Sequence, residues 1–382
     1  MIKRAIQQSI KNGISSFLYH GCVRRANTFY SNAIKYNPIL KEPAKHEELW
    51  LKKWRVYDSK LSPLAYRVFS RYIGEDLNIV PLEICSGICE QALLPDRFRN
   101  DIYSDKNFFD ILFPQGTLPQ TFLRKIRNNY YDKSFNIIPR NKINDFLNDL
   151  NCANLIIKPS LSESGVGVVK FSNINGVYMN NKRTVLTIDY LEKNFDYGCI
   201  VQESFQQHEF FSNFNPTSVN TIRIASYRTP DGTIKILNSI IRIGSKGSVV
   251  DNAHAGGKFI GVKPNGTLCN QLCDQFGRTQ AVFNDIDFSQ HNFVVPNWDL
   301  IQQKVIELSK YVIHHDLMAW DVILDTEGNP HIIELNIGGF SGWLFQFTSG
   351  PMFGDYADLI MKSAIKRLYK TAKLKILFIR DI

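Results

Sequence analysis

A chain of 382 residues that is 44% hydrophobic and 12% aromatic can bury more than one core, and a charged fraction of 21% without any low-complexity tract excludes a disordered or collagenous protein. The formal charge of +9 is a feature of the ends: residues 1–55 carry +8, residues 362–382 carry +6 and the middle is left at −5, which argues against a nucleic-acid groove on the folded body. No apolar run reaches the roughly 18 to 20 residues that span a bilayer.

Before the first acidic residue, Glu42, the residues Ile2, Ile6, Ile10, Ile14, Phe17 and Leu18 recur at helical spacing beside Lys3, Arg4 and Lys11. This basic amphipathic helix has three open readings: packed on the body, lying in a membrane interface, or an organelle transit peptide. Trp50, Leu51, Trp54, Tyr57, Leu61, Leu64, Val68, Phe69 and Tyr72 predict two helices joined at Ser62-Pro63. Residues 106–127 read as helix, turn, helix around Pro114 and Pro119, and 141–150 as a further helix. The periodicity then changes to short β-branched runs at 155–158, 166–171, 199–203, 221–228, 234–243 and 258–262, with Asp231-Gly232 as a hairpin turn. A helix over 299–315 precedes strands at 317–324 and 331–335. The order predicts an α+β chain. The seven cysteines, an odd set without a secretory h-region before it, fit free thiols in a reducing compartment. The three-residue gaps of Cys85/Cys89 and Cys269/Cys273 are not those of a zinc knuckle.

Two stretches carry chemistry. In Ile333-Glu334-Leu335-Asn336 the two polar residues share one face of a strand, and the preceding hairpin can bring Asp321 beside them, so that three hard oxygen donors of the kind Mg²⁺ takes converge. The same residues also suit a solvated hairpin. Lys158-Pro159 ends a buried strand, and the loop through Ser162, Ser164, Gly165 and Gly167 lets backbone N–H groups approach phosphate oxygens, or simply turns a hairpin.

These motifs, with Asp105-Lys106 upstream and Val201-Gln202-Glu203 between them, resemble the ATP-grasp superfamily over roughly residues 105–350. Asn220-Thr221-Ile222-Arg223, Ile241-Arg242 and Asp251-Asn252-Ala253-His254-Ala255-Gly256-Gly257 are most similar to α-L-glutamate ligases and to the bacterial sugar-transfer associated ATP-grasp proteins. The resemblance implies two α+β lobes clamping ATP, divided as a mainly helical region over 1–104, a first lobe over 105–200, a second over 201–370 and a basic tail over 371–382. It implies ATP and Mg²⁺, or Mn²⁺, as cofactors. Lys106, Lys158, Ser164, Gly165 and Gly167 would hold phosphates. Gln202, Glu203 and Phe205 would meet adenine, and Glu209 the ribose. Asp321, Glu334 and Asn336 would bind the metal. Arg223, Arg242 and Lys158 would act on the γ-phosphate and a developing acyl phosphate, with Asn252, His254, Gly256 and Gly257 toward substrate.

The implied activity is a carboxylate-amine ligase on small-molecule carboxylate and amine substrates (amino acid or sugar), in surface polysaccharide biosynthesis. Phosphoryl transfer to a sugar or amide acceptor without ligation, and a non-catalytic nucleotide-binding scaffold, stand as alternatives. The implied location is cytoplasmic, with peripheral contact at the inner face of the membrane, or with a lipid-linked glycan, through the basic ends. No nucleic-acid partner is expected. The helical first hundred residues depart from the βαβ domain that precedes many ATP-grasp modules, which leaves substrate identity open.

Overall fold

The computed structural model describes residues 2–93, 102–161, 166–248, 250–338 and 340–378, with side chains described from 18 to 367. Two seven-stranded sheets organise it, and every strand pairing in them is antiparallel. The first comprises β1 (Thr121–Ile126), β2 (Asn129–Asp132), β3 (Ile137–Ile138), β4 (Asn154–Pro159), β5 (Val169–Ile174), β6 (Val177–Met179) and β7 (Gly198–Glu203), in the order β3-β2-β1-β7-β4-β5-β6. The second comprises β8 (Thr221–Arg228), β9 (Ile234–Ile243), β10 (Lys258–Val262), β11 (Leu268–Cys273), β12 (Thr279–Gln280), β15 (Leu317–Leu324) and β16 (Pro330–Asn336), in the order β12-β11-β10-β9-β8-β15-β16. A small hairpin of β13 (Val282–Phe283) and β14 (Ile286–Asp287) precedes β15 in the chain.

Strand alternation gives the second sheet two apolar faces. Ile222, Ile224, Ile241, Ile243 and Trp320 point to one face, covered by the Trp298–Ser309 helix through Ile301, Val305 and Leu308. Ala225, Tyr227, Ile240 and Ala319 point to the other, which the N-terminal helices cover with Tyr30, Trp50, Trp54 and Phe69. Arg223, Arg242 and Asp321 occupy positions of this second set, farther along the same strands. The first sheet has its own core, with Leu147 and Leu191 from two short helices packed on Leu155, Ile157 and Val201.

Several expectations change. Thr121–Ile126 is a strand and not the second helix of a helical pair, because Arg124 and Lys125, which read as the polar side of a helix, are buried and find partners in the fold. Arg124 pairs with Asp110, and Lys125 Nζ donates to Phe195 O at 2.6 Å. The strand placed at 166–171 begins at Val169, and the helix placed over 299–315 ends at Ser309. The first helix runs from Ile2 to Tyr36, with Cys22, Ala26, Tyr30 and Ala33 buried at helical intervals, so its second half packs on the body; the side chains of the isoleucine stripe lie outside the described ones. One helix spans Ala357–Phe378, across the division drawn at 370, and the division drawn at 200 falls within β7. No helix among the described residues is long and apolar enough to cross a membrane.

The N-terminal helices are tied to the chain that follows β16. The fully buried Gln346 accepts from Val80 N–H at 2.7 Å and donates to Val80 O at 3.0 Å, bridging 266 residues of sequence. Phe29 packs on Trp343 and Phe347, with centroids 5.5 and 5.6 Å apart. Gln346→Leu keeps the volume but strands a buried donor and a buried acceptor, so urea unfolding should show a loss of about 2 to 4 kcal/mol; an unchanged midpoint would mean that this bond pair contributes nothing.

Candidate functional site

A cavity of about 290 Å³ opens between the two sheets. Its centre is an electrostatic network set by strand register. β8 and β15 pair with Arg223 opposite Asp321, β15 and β16 with Asp321 opposite Glu334, and β8 and β9 with Thr221 opposite Arg242. Asp321 is fully buried and takes a two-pronged bond from Arg223, Nε to Oδ1 and Nη2 to Oδ2, both at 2.8 Å. Arg242 Nη2 adds a contact to Asp321 Oδ2 at 3.1 Å and another to Asp251 Oδ1 at 3.2 Å, while its Nε donates to Thr221 Oγ1 at 2.9 Å. Thr221 N–H donates to Asp251 Oδ2 at 3.0 Å.

Two guanidinium groups and two carboxylates thus balance in a largely buried cluster. Burial pushes the Asp321 carboxyl up, but the Arg223 and Arg242 guanidinium groups outweigh it and hold the acid below the usual carboxylate range. Asp251 is pushed up by burial, against the pull of Arg242. Arg242, which burial would lower, is raised by Asp251 and Asp321.

Two lysines flank this network. Lys158, at the end of β4, has Nζ 3.5 Å from Ile333 O, and burial, followed by the charge of Lys106, brings it down to about 8 against the pull of Glu334. Lys106 lies in a 3-10 turn (Lys106–Phe108) capped by Asp105, which accepts from Asn107 N–H at 2.9 Å, and its Nζ is 3.5 Å from Glu334 Oε1. Asn336 Nδ2 is 3.5 Å from Asp321 Oδ2. Glu334 keeps 21% of its side chain exposed and is the accessible carboxylate of the three-residue set.

The structure brings Lys106, Lys158, Gln202, Glu203, Phe205, Arg223, Arg242, Asn252, His254, Glu334 and Asn336 to the cavity lining, with Asp321 immediately behind it. Gln202 spends its amide on Thr121 Oγ1, at 2.9 Å, and Pro119 O, so its side chain braces β1. Glu203 accepts from Gln120 N–H at 2.8 Å, and the Phe205 ring lies 4.5 Å from that of His331. Glu209 is exposed in the first turn of a short helix (Glu209–Ser212) and does not line the cavity. Ser164 and Gly165 lie outside the described residues. Gly167 has φ +77°, and a Cβ there would stand 2.8 Å from Pro159, so the turn after Lys158 depends on a glycine at that place. Gly256 and Gly257 support the loop without lining the cavity; a Cβ on Gly257 would meet Asp251 O at 2.6 Å.

Two features escape a reading of the sequence. Asp251 heads the 251–257 run, but its role depends on Arg242, which only the fold brings to it. Ser341, Trp343 and Leu344 also line the cavity, and no spacing pattern announced them. A second cavity of about 250 Å³, reaching the surface at Ser104 and Leu161, adjoins the first at Lys106, Glu334 and Asn336. The oxygen-only set of Asp321, Glu334 and Asn336 matches the chemistry Mg²⁺ accepts, with Asp321 already sharing its oxygens with two arginines.

A family model described as sugar-transfer associated ATP-grasp matches residues 96–354. Comparison with curated proteins gives no match. Among solved structures, the D-alanine-D-alanine ligase from Coxiella burnetii is 13% identical and aligns with 72% of this chain and 61% of its own, with a TM-score of 0.40. The L-amino acid ligase from Bacillus licheniformis is 12% identical over 85% of this chain and 61% of its own, with a TM-score of 0.37. The N5-carboxyaminoimidazole ribonucleotide synthetase from Thermotoga maritima is 8% identical over 70% and 51%, with a TM-score of 0.37. The chain thus matches between 51% and 61% of the length of these three proteins.

Removing one member of a buried charge network leaves its partners uncompensated. Asp321→Asn should therefore cost about 3 to 5 kcal/mol in urea unfolding, whereas Glu334→Gln, at a side chain that keeps some contact with solvent, should cost about 1 kcal/mol or less. The sign with pH follows from the lowered Asp321: its contribution is complete above the unfolded carboxylate value near 3.8 and is lost as pH falls through its lower folded value. Stability of Asp321→Asn should show a shallower fall with acid; a wild-type acid limb in the variant would contradict the network.

Proposed function

The chain belongs to the sugar-transfer associated ATP-grasp family, and from that footing we propose that it is an ATP- and Mg²⁺-dependent carboxylate-amine ligase acting in surface polysaccharide biosynthesis. The observation that carries the reading is the convergence, in one cavity between two sheets, of Lys106, Lys158, Arg223, Arg242, Glu334 and Asn336. In this reading the two seven-stranded sheets, divided after β7, are the cores of the two lobes that clamp the nucleotide, and the N-terminal helices brace the second lobe from behind.

Adenine would lie at the Gln202–Phe205 edge, between Ile156 and Val168 on one side and Ile323 and Ile333 on the other, a pairing of apolar walls suited to a flat purine. Lys106 and Lys158 would hold the phosphates. Glu334 and Asn336 would hold the metal, joined by Asp321 through the lone pair its arginines leave. When bound, Mg²⁺ would supply charge neutralisation to the phosphates. Arg223 and Arg242, fixed by Asp321 and Asp251, need no reorganisation to stabilise charge developing at the transferring phosphoryl group.

The proposed reaction has two stages. A carboxylate oxygen of the first substrate attacks the γ-phosphorus, the bond to the bridging oxygen breaks, and ADP leaves an acyl phosphate. The amine of the second substrate then attacks the acyl carbon, phosphate departs, and the amine gives up a proton as the amide forms. Positioning and electrostatics do this work, so no side-chain nucleophile is required. The acceptor would lie against Ser341, Trp343 and Leu344, with Asn252 and His254 also in the lining.

The test is a screen of amino acids and uronic-acid sugars scored by ADP release. ADP formation that requires both a carboxylate and an amine supports ligation; ADP formed with a single hydroxyl or amide acceptor would replace it with simple phosphoryl transfer. In the active mixture, Glu334→Gln should lower turnover about 100- to 1,000-fold while changing Mg-ADP affinity only a few-fold, since the charge it removes acts mainly where negative charge accumulates. Near-native turnover in that variant would exclude the metal role of Glu334.

A further inference from the structure

We propose that the protein docks on an anionic membrane surface through the seam where the 106–113 segment meets the 310–316 turn, to which Arg367 of its basic C-terminal helix is tied. The two segments pack together through Tyr103, Phe109, Phe113 and Val312, all buried in one core cluster. Tyr103 Oη lies 3.1 Å from His314 Nδ1, and the Phe113 and Tyr311 rings are 6.4 Å apart.

Along this seam large apolar side chains face outward: Ile111 is 62% exposed, Ile313 67%, Tyr311 43% and Phe108 40%. Single exposed apolar residues are ordinary, but several beside one junction mark an interaction surface. The C-terminal helix (Ala357–Phe378) begins on the body with Ile360, Met361 and Ala364 buried, and Arg367 pairs with Asp316 in the same turn. From there the helix continues to Phe378, roughly 16 Å at the helical rise per residue. Between Leu359 and Phe378 the sequence has six Lys or Arg residues and no acid.

An apolar seam beside a helix rich in cations fits a bilayer carrying anionic headgroups, where the apolar side chains enter the interface and the cations meet phosphates. A second copy of the chain fits less well, since a two-fold contact on this face would bring two such helices toward each other. The proposal is independent of the ligase reading, and its test needs no nucleotide.

The experiment is co-sedimentation of the full chain with vesicles of phosphatidylcholine alone or of phosphatidylcholine with phosphatidylglycerol, at low and high salt. Binding should be about tenfold or more stronger to the anionic vesicles and should weaken with salt. Lys370→Glu combined with Lys373→Glu and Lys375→Glu should weaken it at least about tenfold, and Ile111→Ser combined with Ile313→Ser about fivefold, with melting temperatures unchanged in both. Equal binding to both vesicles, no binding to either, or undiminished binding in either variant would overturn the proposal. So would loss of binding only on reversing Lys3, Arg4 and Lys11, or a wild-type dimer that the isoleucine variant converts to monomer.

Discussion

A carboxylate with no solvent exposure must be matched by cations or give up its charge, and the second sheet is arranged around meeting that condition for Asp321. Arg223 reaches it across one strand pair and Arg242 from one strand farther, and Asp251 then balances the second guanidinium. The register of three strand pairings follows from this network, because a one-residue slip would turn each of these side chains to the opposite, apolar face. The same condition fixes how the arginines point before any ligand arrives. A site that must stabilise charge on a transferring phosphoryl group gains most from donors already held in place.

The N-terminal helices extend this arrangement. They cover the sheet face that carries the arginines, and they hold the chain after β16 through Gln346 and through the Phe29, Trp343 and Phe347 rings. Trp343 and Leu344 are at once part of that packing and part of the cavity wall. The helical region therefore helps to shape the cavity.

Much of this was legible in the sequence. β8, β9 and β10 appear with the predicted bounds because each is rich in β-branched residues between turn-forming neighbours, β15 appears with its predicted bounds as an apolar run before the turn at 326–329, and the pairing that sets Asp321 beside Glu334 followed from the hairpin between them. β1 was not legible, because its buried Arg124 and Lys125 imitate the polar side of a helix until Asp110 and the carbonyl of Phe195 are brought to them. Asp251 and the Ser341–Leu344 wall depend on contacts far apart in the chain, which local periodicity cannot report. Glu209, to which the resemblance gave a ribose contact, lies exposed at the start of a short helix and outside the cavity lining.

The most direct test of the account is a crystal structure with Mg-ADP bound. The account predicts adenine at the Gln202–Phe205 edge, phosphates on Lys106 and Lys158, the metal on Glu334 and Asn336, and Arg223 still bridging Asp321. Nucleotide bound outside this cavity, or phosphates out of reach of both lysines, would contradict it.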